Sequence, residues 1–161
     1  MSQNLLSNPN FTDAGPDGLT IEFTGIGTSG LYVAANWSLF HNNQGTSETE
    51  LLTNGAPIIT PGLIRVSTTA SRNGLVNVFL PIDTGPQATV AKVQVYVVRG
   101  VVGIGTGNGG DTSFDAESQS TGAWELIQAK NGGSPANEFI IYAASDDGAV
   151  FYVHSAEVVE A

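Results

Sequence analysis

The run Val90-Ala-Lys-Val-Gln-Val-Tyr-Val-Val-Arg99 decides how this chain is to be read. It is the longest β-branched stretch in the sequence, and it stops at Gly100. Successive side chains of a strand point to opposite faces. Val93, Val95 and Val97 therefore share one side, and Gln94 and Tyr96 the other. The first side is apolar and suited to a core. The second offers an amide and a phenol ring, suited to solvent or to a ligand.

The same period of two recurs on both sides of this strand. Residues 63–69 set Ile64, Val66 and Thr68 against Leu63, Arg65 and Ser67. Residues 75–82 set Val76, Val78 and Leu80 against Asn77 and Phe79. Residues 19–23, 124–127, 138–144 and 150–159 read as further strands, and residues 31–40 carry Tyr32, Trp37 and Phe40. Turn-rich pieces lie between them: 25–30, 41–45, Asn54-Gly55, Asn73-Gly74, 106–111 and 145–148. No long stretch keeps an apolar period of 3.6. Roughly ten short strands, with a turn signal every 8–12 residues, are the pattern of a sandwich or barrel. The expectation is an all-β jelly-roll sandwich of two antiparallel sheets, with residues 1–161 as a single domain.

Composition narrows the chemistry. The chain has 161 residues and no cysteine, which excludes thiolate catalysis, a disulfide framework and cysteine-ligated metal. A chain of this length hides on the order of 70% of its unfolded surface, so its core needs no metal or disulfide. Fifteen Asp plus Glu against five Lys plus Arg give a formal net charge of −10. Such a surface repels phosphate backbones and anionic lipid, so nucleic acid and membrane surfaces are not expected partners. No apolar run approaches the length that spans a bilayer. The first residues, Met1-Ser-Gln-Asn-Leu-Leu, have neither the basic nor the apolar region of a signal peptide. Neutral sugars remain compatible with all of this.

The motifs that suggest catalysis have plainer readings. Asp83-Thr84-Gly85 matches the aspartic-protease signature, but Pro86 follows at once and Asp-x-Gly is ordinary turn chemistry. Gly105-Thr-Gly107-Asn-Gly-Gly110 fits a dinucleotide fingerprint. Its continuation, Asp-Thr-Ser-Phe-Asp, is a poor helix start and adds negative charge where phosphate would lie. Asp111, Asp115 and Glu117, or Asp146 with Asp147, offer oxygen ligands without a calcium-loop pattern. His41 and His154 are too few and too far apart to specify a metal. No catalytic residue, metal site or cofactor is expected.

One constellation survives. The polar sides of the strands bring together Arg65, Asn77, Phe79, Gln94 and Tyr96, with Tyr142 and Trp37 as further candidates. Amides and Arg make directed hydrogen bonds to hydroxyls, and aromatic faces stack on the C–H face of a pyranose. This is the mix a sugar groove needs. The competing reading makes Phe79 and Tyr96 the outer core of a second layer and leaves Gln94 and Arg65 merely solvated. Trp124 reads as a packing residue.

Taken together, Asn4-Leu-Leu-Ser-Asn-Pro-Asn-Phe11, Trp37, Gly62-Leu-Ile-Arg-Val66, the strand ending at Gly100, Thr121-Gly-Ala-Trp-Glu125, Phe139-Ile-Ile-Tyr142 and Ala149-Val-Phe-Tyr-Val153 resemble carbohydrate-binding modules. The group is the galactose-binding-like jelly-roll kind, close to xylan- and glucan-binding modules. The resemblance spans nearly the whole chain, and its first piece resembles the family's first strand. It implies a non-catalytic module or lectin that binds neutral glycan on the concave sheet face. Such modules usually carry an acid after the first-strand Phe and an Asp pair after the closing Phe-Tyr-Val, serving a structural calcium. Here those positions hold Thr12 and His154-Ser155. The alternative function is a structural or attachment jelly roll of a phage, viral or secreted particle, which would form a homo-oligomer. Because the acids of the family's calcium site are replaced, a chelator is expected to leave the melting temperature nearly unchanged. A large drop on adding EDTA in a thermal scan would count against that reading.

Overall fold

The computed structural model describes residues 4–52, 62–78, 89–108, 111–112, 116–131 and 137–160. Among them are eleven strands: β1 (Thr20–Ala34), β2 (Trp37–Leu52), β3 (Leu63–Thr68), β4 (Asn73–Val78), β5 (Thr89–Arg99), β6 (Val102–Asn108), β7 (Asp111–Thr112), β8 (Ala116–Glu117), β9 (Trp124–Asn131), β10 (Glu138–Ala143) and β11 (Ala149–Glu160). No described residue is helical, so no helix is long and apolar enough to cross a membrane. All pairings are antiparallel.

The path of hydrogen-bonded neighbours runs β7-β6-β10-β4-β2-β3-β11-β5-β9, with β1 against β2 and β8 against β6. One strand, β2, belongs to both halves of this path. Its first part, Trp37–His41, pairs with β4, and its last part, Ser47–Leu52, pairs with β3. The path therefore folds over at residues 42–45 into two layers that form a nearly closed, barrel-like sandwich of jelly-roll type. The first sheet holds β6, β10, β4 and the start of β2. The second holds the end of β2, then β3, β11, β5 and β9.

The core lies between the layers. Val93, Val95 and Val97 of β5, Ile64 and Val66 of β3, and Phe151 and Val153 of β11 face Leu39, Leu75, Ile104, Phe139 and Ile141 from the first sheet. Each is nearly inaccessible to solvent, and burying such a side chain contributes about 1.5–3 kcal/mol. Residues 4–11 form no strand, unlike the piece they resemble in sequence. They run instead across one end of the sandwich. Phe11 is fully buried, with its ring 4.7 Å from that of Trp37. The Trp37 indole N–H donates to the Asn8 carbonyl (2.9 Å), and the Asn77 amide donates to the Ser7 carbonyl (3.0 Å). Asn4 donates to the Ala156 carbonyl and accepts from the Val158 N–H.

Several turn signals turned out to lie inside strands. The links expected at 25–30 and 41–45 are parts of β1 and β2, and Asn73-Gly74 opens β4 instead of making a hairpin. The chain reverses just before it, where Arg72 takes φ 64. β1 accommodates its glycines through register shifts beside Gly25 and Gly27, both at positive φ (128 and 103). A bulge of this kind costs a glycine little. The Gly105-x-Gly107 motif sits in β6, so no helix opens after it. Asn54-Gly55, Asp83-Thr84-Gly85 and Asp115 lie outside the described residues.

His41 sits at the fold-over of β2 and is fully buried. Its Nδ1–H donates to the Gly25 carbonyl (2.9 Å), and its Nε2 accepts from the Ser47 hydroxyl (2.7 Å). Burial holds its pKa below the ordinary value of 6.5, partly offset by the bond to Gly25. The folded state thus keeps His41 neutral while the unfolded chain protonates it below that value. The unfolded state binds more protons there, so the contribution of His41 is present above pH 6.5 and is lost as pH falls. Denaturant melts between pH 7.5 and 5 should show a loss of stability on acidification that is smaller in His41→Gln. Equal pH slopes for the two proteins would contradict this.

Candidate functional site

The outward side of the second sheet carries a row of side chains that crosses five strands. Backbone register sets Glu50 of β2 beside Arg65 of β3, Arg65 beside Tyr152 of β11, Tyr152 beside Tyr96 of β5, and Tyr96 beside Trp124 of β9. The rings touch edge to face. Tyr96 lies 5.8 Å from Trp124 and 6.3 Å from Tyr152, centroid to centroid. Such pairs are worth about 0.5–1.5 kcal/mol beyond their burial, which holds the rings in place. Arg65 and Glu50 form an ion pair at 3.7 Å.

Next to this row β11 bulges. Its register against β5 shifts between Val153 and Ser155, so His154 and Ser155 together oppose Gln94. Both are partly exposed, while Val153 and Ala156 on either side are buried. A bulge inserts one residue and re-aims its neighbours; here it adds a second polar side chain to the face. The result is a hollow of about 320 Å3 lined by Gln94, Trp124, His154 and Ser155. The imidazole of His154 stands edge-on to Trp124 at 5.8 Å. Among the described residues the Trp124 indole N–H finds no hydrogen-bond partner. Leaving such a donor unpaired costs about 1–3 kcal/mol. On the far side of Gln94, Leu126 presents an exposed apolar surface, and Lys92 pairs with Glu157 at 3.9 Å.

This arrangement contains three of the residues proposed from sequence: Arg65, Gln94 and Tyr96. Three others are buried elsewhere. Trp37, Asn77 and Tyr142 are at most 1% exposed, so none can touch a ligand on this face. Trp37 is fixed between Phe11 and Phe139. Asn77 points inward with Leu75 because its amide closes the N-terminal segment, the reverse of the alternation read from sequence. Tyr142 lies on the outer side of the first sheet, packed with Val76 and Ile140, its ring over Gly103 where any side chain would collide with it. Arg72 stacks on that ring at 5.1 Å. Phe79 lies outside the described residues. Sequence reading missed Trp124 as a site residue, and it missed Tyr152, His154, Ser155 and Leu126. Tyr152 was recoverable, since it alternates with Phe151 and Val153.

No protein-family model matches the sequence, and no curated protein matches it. Solved structures do. A xylan-binding module of family 15 superposes with a TM-score of 0.57 at 13% identity, covering 89% of this chain and 98% of that one. A family 29 carbohydrate-binding module gives 0.52 at 9% identity, covering 88% of each chain. The fold is that of carbohydrate-binding modules. A bacteriophage CBA120 tailspike domain shares it too, with a TM-score of 0.54 at 8% identity over 98% of this chain and 21% of that one. At these identities the likeness concerns the jelly-roll backbone, which carries many functions. No three His, Asp or Glu side chains that could hold a metal ion converge among the described residues.

The two tryptophans make the face observable. Trp37 is buried and Trp124 is partly exposed on the face. Acrylamide should quench only part of the emission. Trp124→Phe should remove the quenchable part and leave blue-shifted emission from Trp37. Full quenching of the variant would show that Trp37 is not enclosed.

Proposed function

We propose that this chain is a non-catalytic carbohydrate-binding domain that takes neutral glycan on the outward face of the second sheet. One observation carries the reading: at the β11 bulge, hydrogen-bonding groups without internal partners meet an aromatic surface. Among the described residues the side chains of Gln94 and Ser155 make no hydrogen bond to the rest of the protein, and they adjoin Trp124 and Tyr96. Sugars need this pairing of directed polar groups with a ring face. The nearby charges are paired with each other, Arg65 with Glu50 and Lys92 with Glu157, which favours a neutral ligand over a charged one. Those pairs also argue against the usual route of glycoside hydrolysis, in which two carboxyl groups flank the bond to be cut. The fold shared with a xylan-binding module supports the same reading.

A second reading makes the domain a structural or attachment unit that self-associates. The tailspike likeness supports it, as do the exposed Ile26, Leu31 and Tyr32 on β1. A glycan array, with solution mass measured on the same sample, separates the two. A hit on a neutral glycan, competed by free sugar, supports binding; a blank array with an oligomeric mass supports assembly. On a positive glycan, Tyr96→Ala and Trp124→Ala should each weaken affinity about tenfold while the domain stays folded by circular dichroism. Unchanged affinity in both would remove this face from the site.

A further inference from the structure

The hollow at Trp124 is not isolated. A second one, of about 280 Å3, opens directly beside it and shares Gln94 and Ser155 as common walls. Its remaining lining includes Asn4, Asn10, Lys92, Leu126 and Glu157. The two differ in chemistry. The first is walled by the indole of Trp124 and the imidazole of His154. The second is walled mostly by polar side chains, with Val93, Leu126 and Ala156 as its apolar part and no aromatic ring. Each is near the lower bound of about 300 Å3 typical of a small-ligand site, the scale of one or two sugar rings.

We propose that the second hollow is a sugar subsite of its own, so that the ligand is an oligosaccharide laid along β5 and β11, with Asn10 as a contact for the ring beyond Gln94. This rests on the glycan-binding reading above and extends it from a single ring to a chain. The side chains of the second hollow divide into structural and unengaged groups. Asn4 is fully employed: its amide donates to the Ala156 carbonyl (3.1 Å), and its oxygen accepts from the Leu6 and Val158 N–H groups (3.2 and 3.0 Å). It forms a wall. Asn10 is exposed and its side chain makes no hydrogen bond among the described residues, while the turn that carries it is closed by the Phe11 N–H donating to the Asn8 carbonyl. Lys92 and Glu157 form a loose pair at 3.9 Å. Each can bond a vicinal hydroxyl, while together they remain neutral and give no advantage to an acidic sugar. Ser155 and Gln94, on the saddle between the hollows, can reach a ligand on either side. The bulge that creates the first hollow therefore also joins it to the second, and the N-terminal segment supplies the far wall.

The test is calorimetric titration of ladders of β-1,4-xylo- and cello-oligosaccharides, two to six residues long, into the full chain, Asn10→Ala and Trp124→Ala. The expected result is an affinity that rises with chain length in the unmodified protein. Asn10→Ala should reduce affinity for the longer members by about three- to tenfold and leave the shortest bound member unchanged. Trp124→Ala should weaken all of them. Asn10 has no structural bond to lose, and equal melting temperatures for it and the parent would confirm that the fold is intact. Affinity independent of length and indifferent to Asn10→Ala, yet lost in Trp124→Ala, would overturn the second subsite while leaving glycan binding in place. No binding by any member of either ladder, on an array that is also blank, would overturn both.

Discussion

The corner at residues 42–45 of β2 fixes how the two sheets sit against each other. A strand that leaves one sheet and enters the other must satisfy its backbone polar groups at the bend by other means. Here side chains do so. Asn43 and Asn73 bond reciprocally: the Asn43 N–H donates to the Asn73 side-chain oxygen, and the Asn73 amide donates to the Asn43 carbonyl, both at 2.9 Å. The Asn42 N–H donates to the Arg72 carbonyl, and the Thr46 N–H to the Thr69 hydroxyl. His41 then ties β1 to the second half of β2. Buried Asn73 and His41 are costly residues to place in a core unless fully bonded, and their bonds make this one corner geometry the stable one.

With the sheets held in this relation, the two outer faces have opposite characters. The face over β4 and β10 buries Val76, Ile140 and Tyr142 under Arg72 and leaves Val78 exposed. The face over β3, β11, β5 and β9 is open and mixed. Its strands bury valines on the core side with such regularity that the outward side is free to carry polar and aromatic groups. The bulge at His154-Ser155 breaks that regularity once, and both hollows meet there.

How much of this was legible in the sequence depended on whether a strand had one apolar side or two. β5 and β3 have one: Val93, Val95 and Val97, and Ile64, Val66 and Thr68, face inward as their alternation requires. β4 has two. Leu75, Val76 and Val78 leave no polar side to mark the exterior, and the choice fell to a partner distant in sequence, the Ser7 carbonyl that receives Asn77. Trp37 was misread for a related reason, since its polar neighbours concealed the stack with Phe11 and Phe139. The jelly-roll architecture was readable because it needs only strand count and turn spacing. The centre of the candidate site was not. A bulge is decided by which residues pair across strands, and His154-Ser155 looks the same in sequence whether or not it slips against Gln94.

The glycines of β1 have an effect that reaches beyond the monomer. β1 is fifteen residues long and pairs along one side only, with β2, apart from a bridge at its end to Ala14 among the described residues. A straight edge of that length, poor in charge and carrying Ile26 and Leu31, would be an open template for strand addition from neighbouring molecules. The register shifts at Gly25 and Gly27, and again between Thr28 and Tyr32, cut the edge into short pieces that twist away from one another. The chain's net charge of −10 keeps its copies apart at long range, and on β1, where Glu22 is the one charged residue, backbone shape resists strand addition at close range.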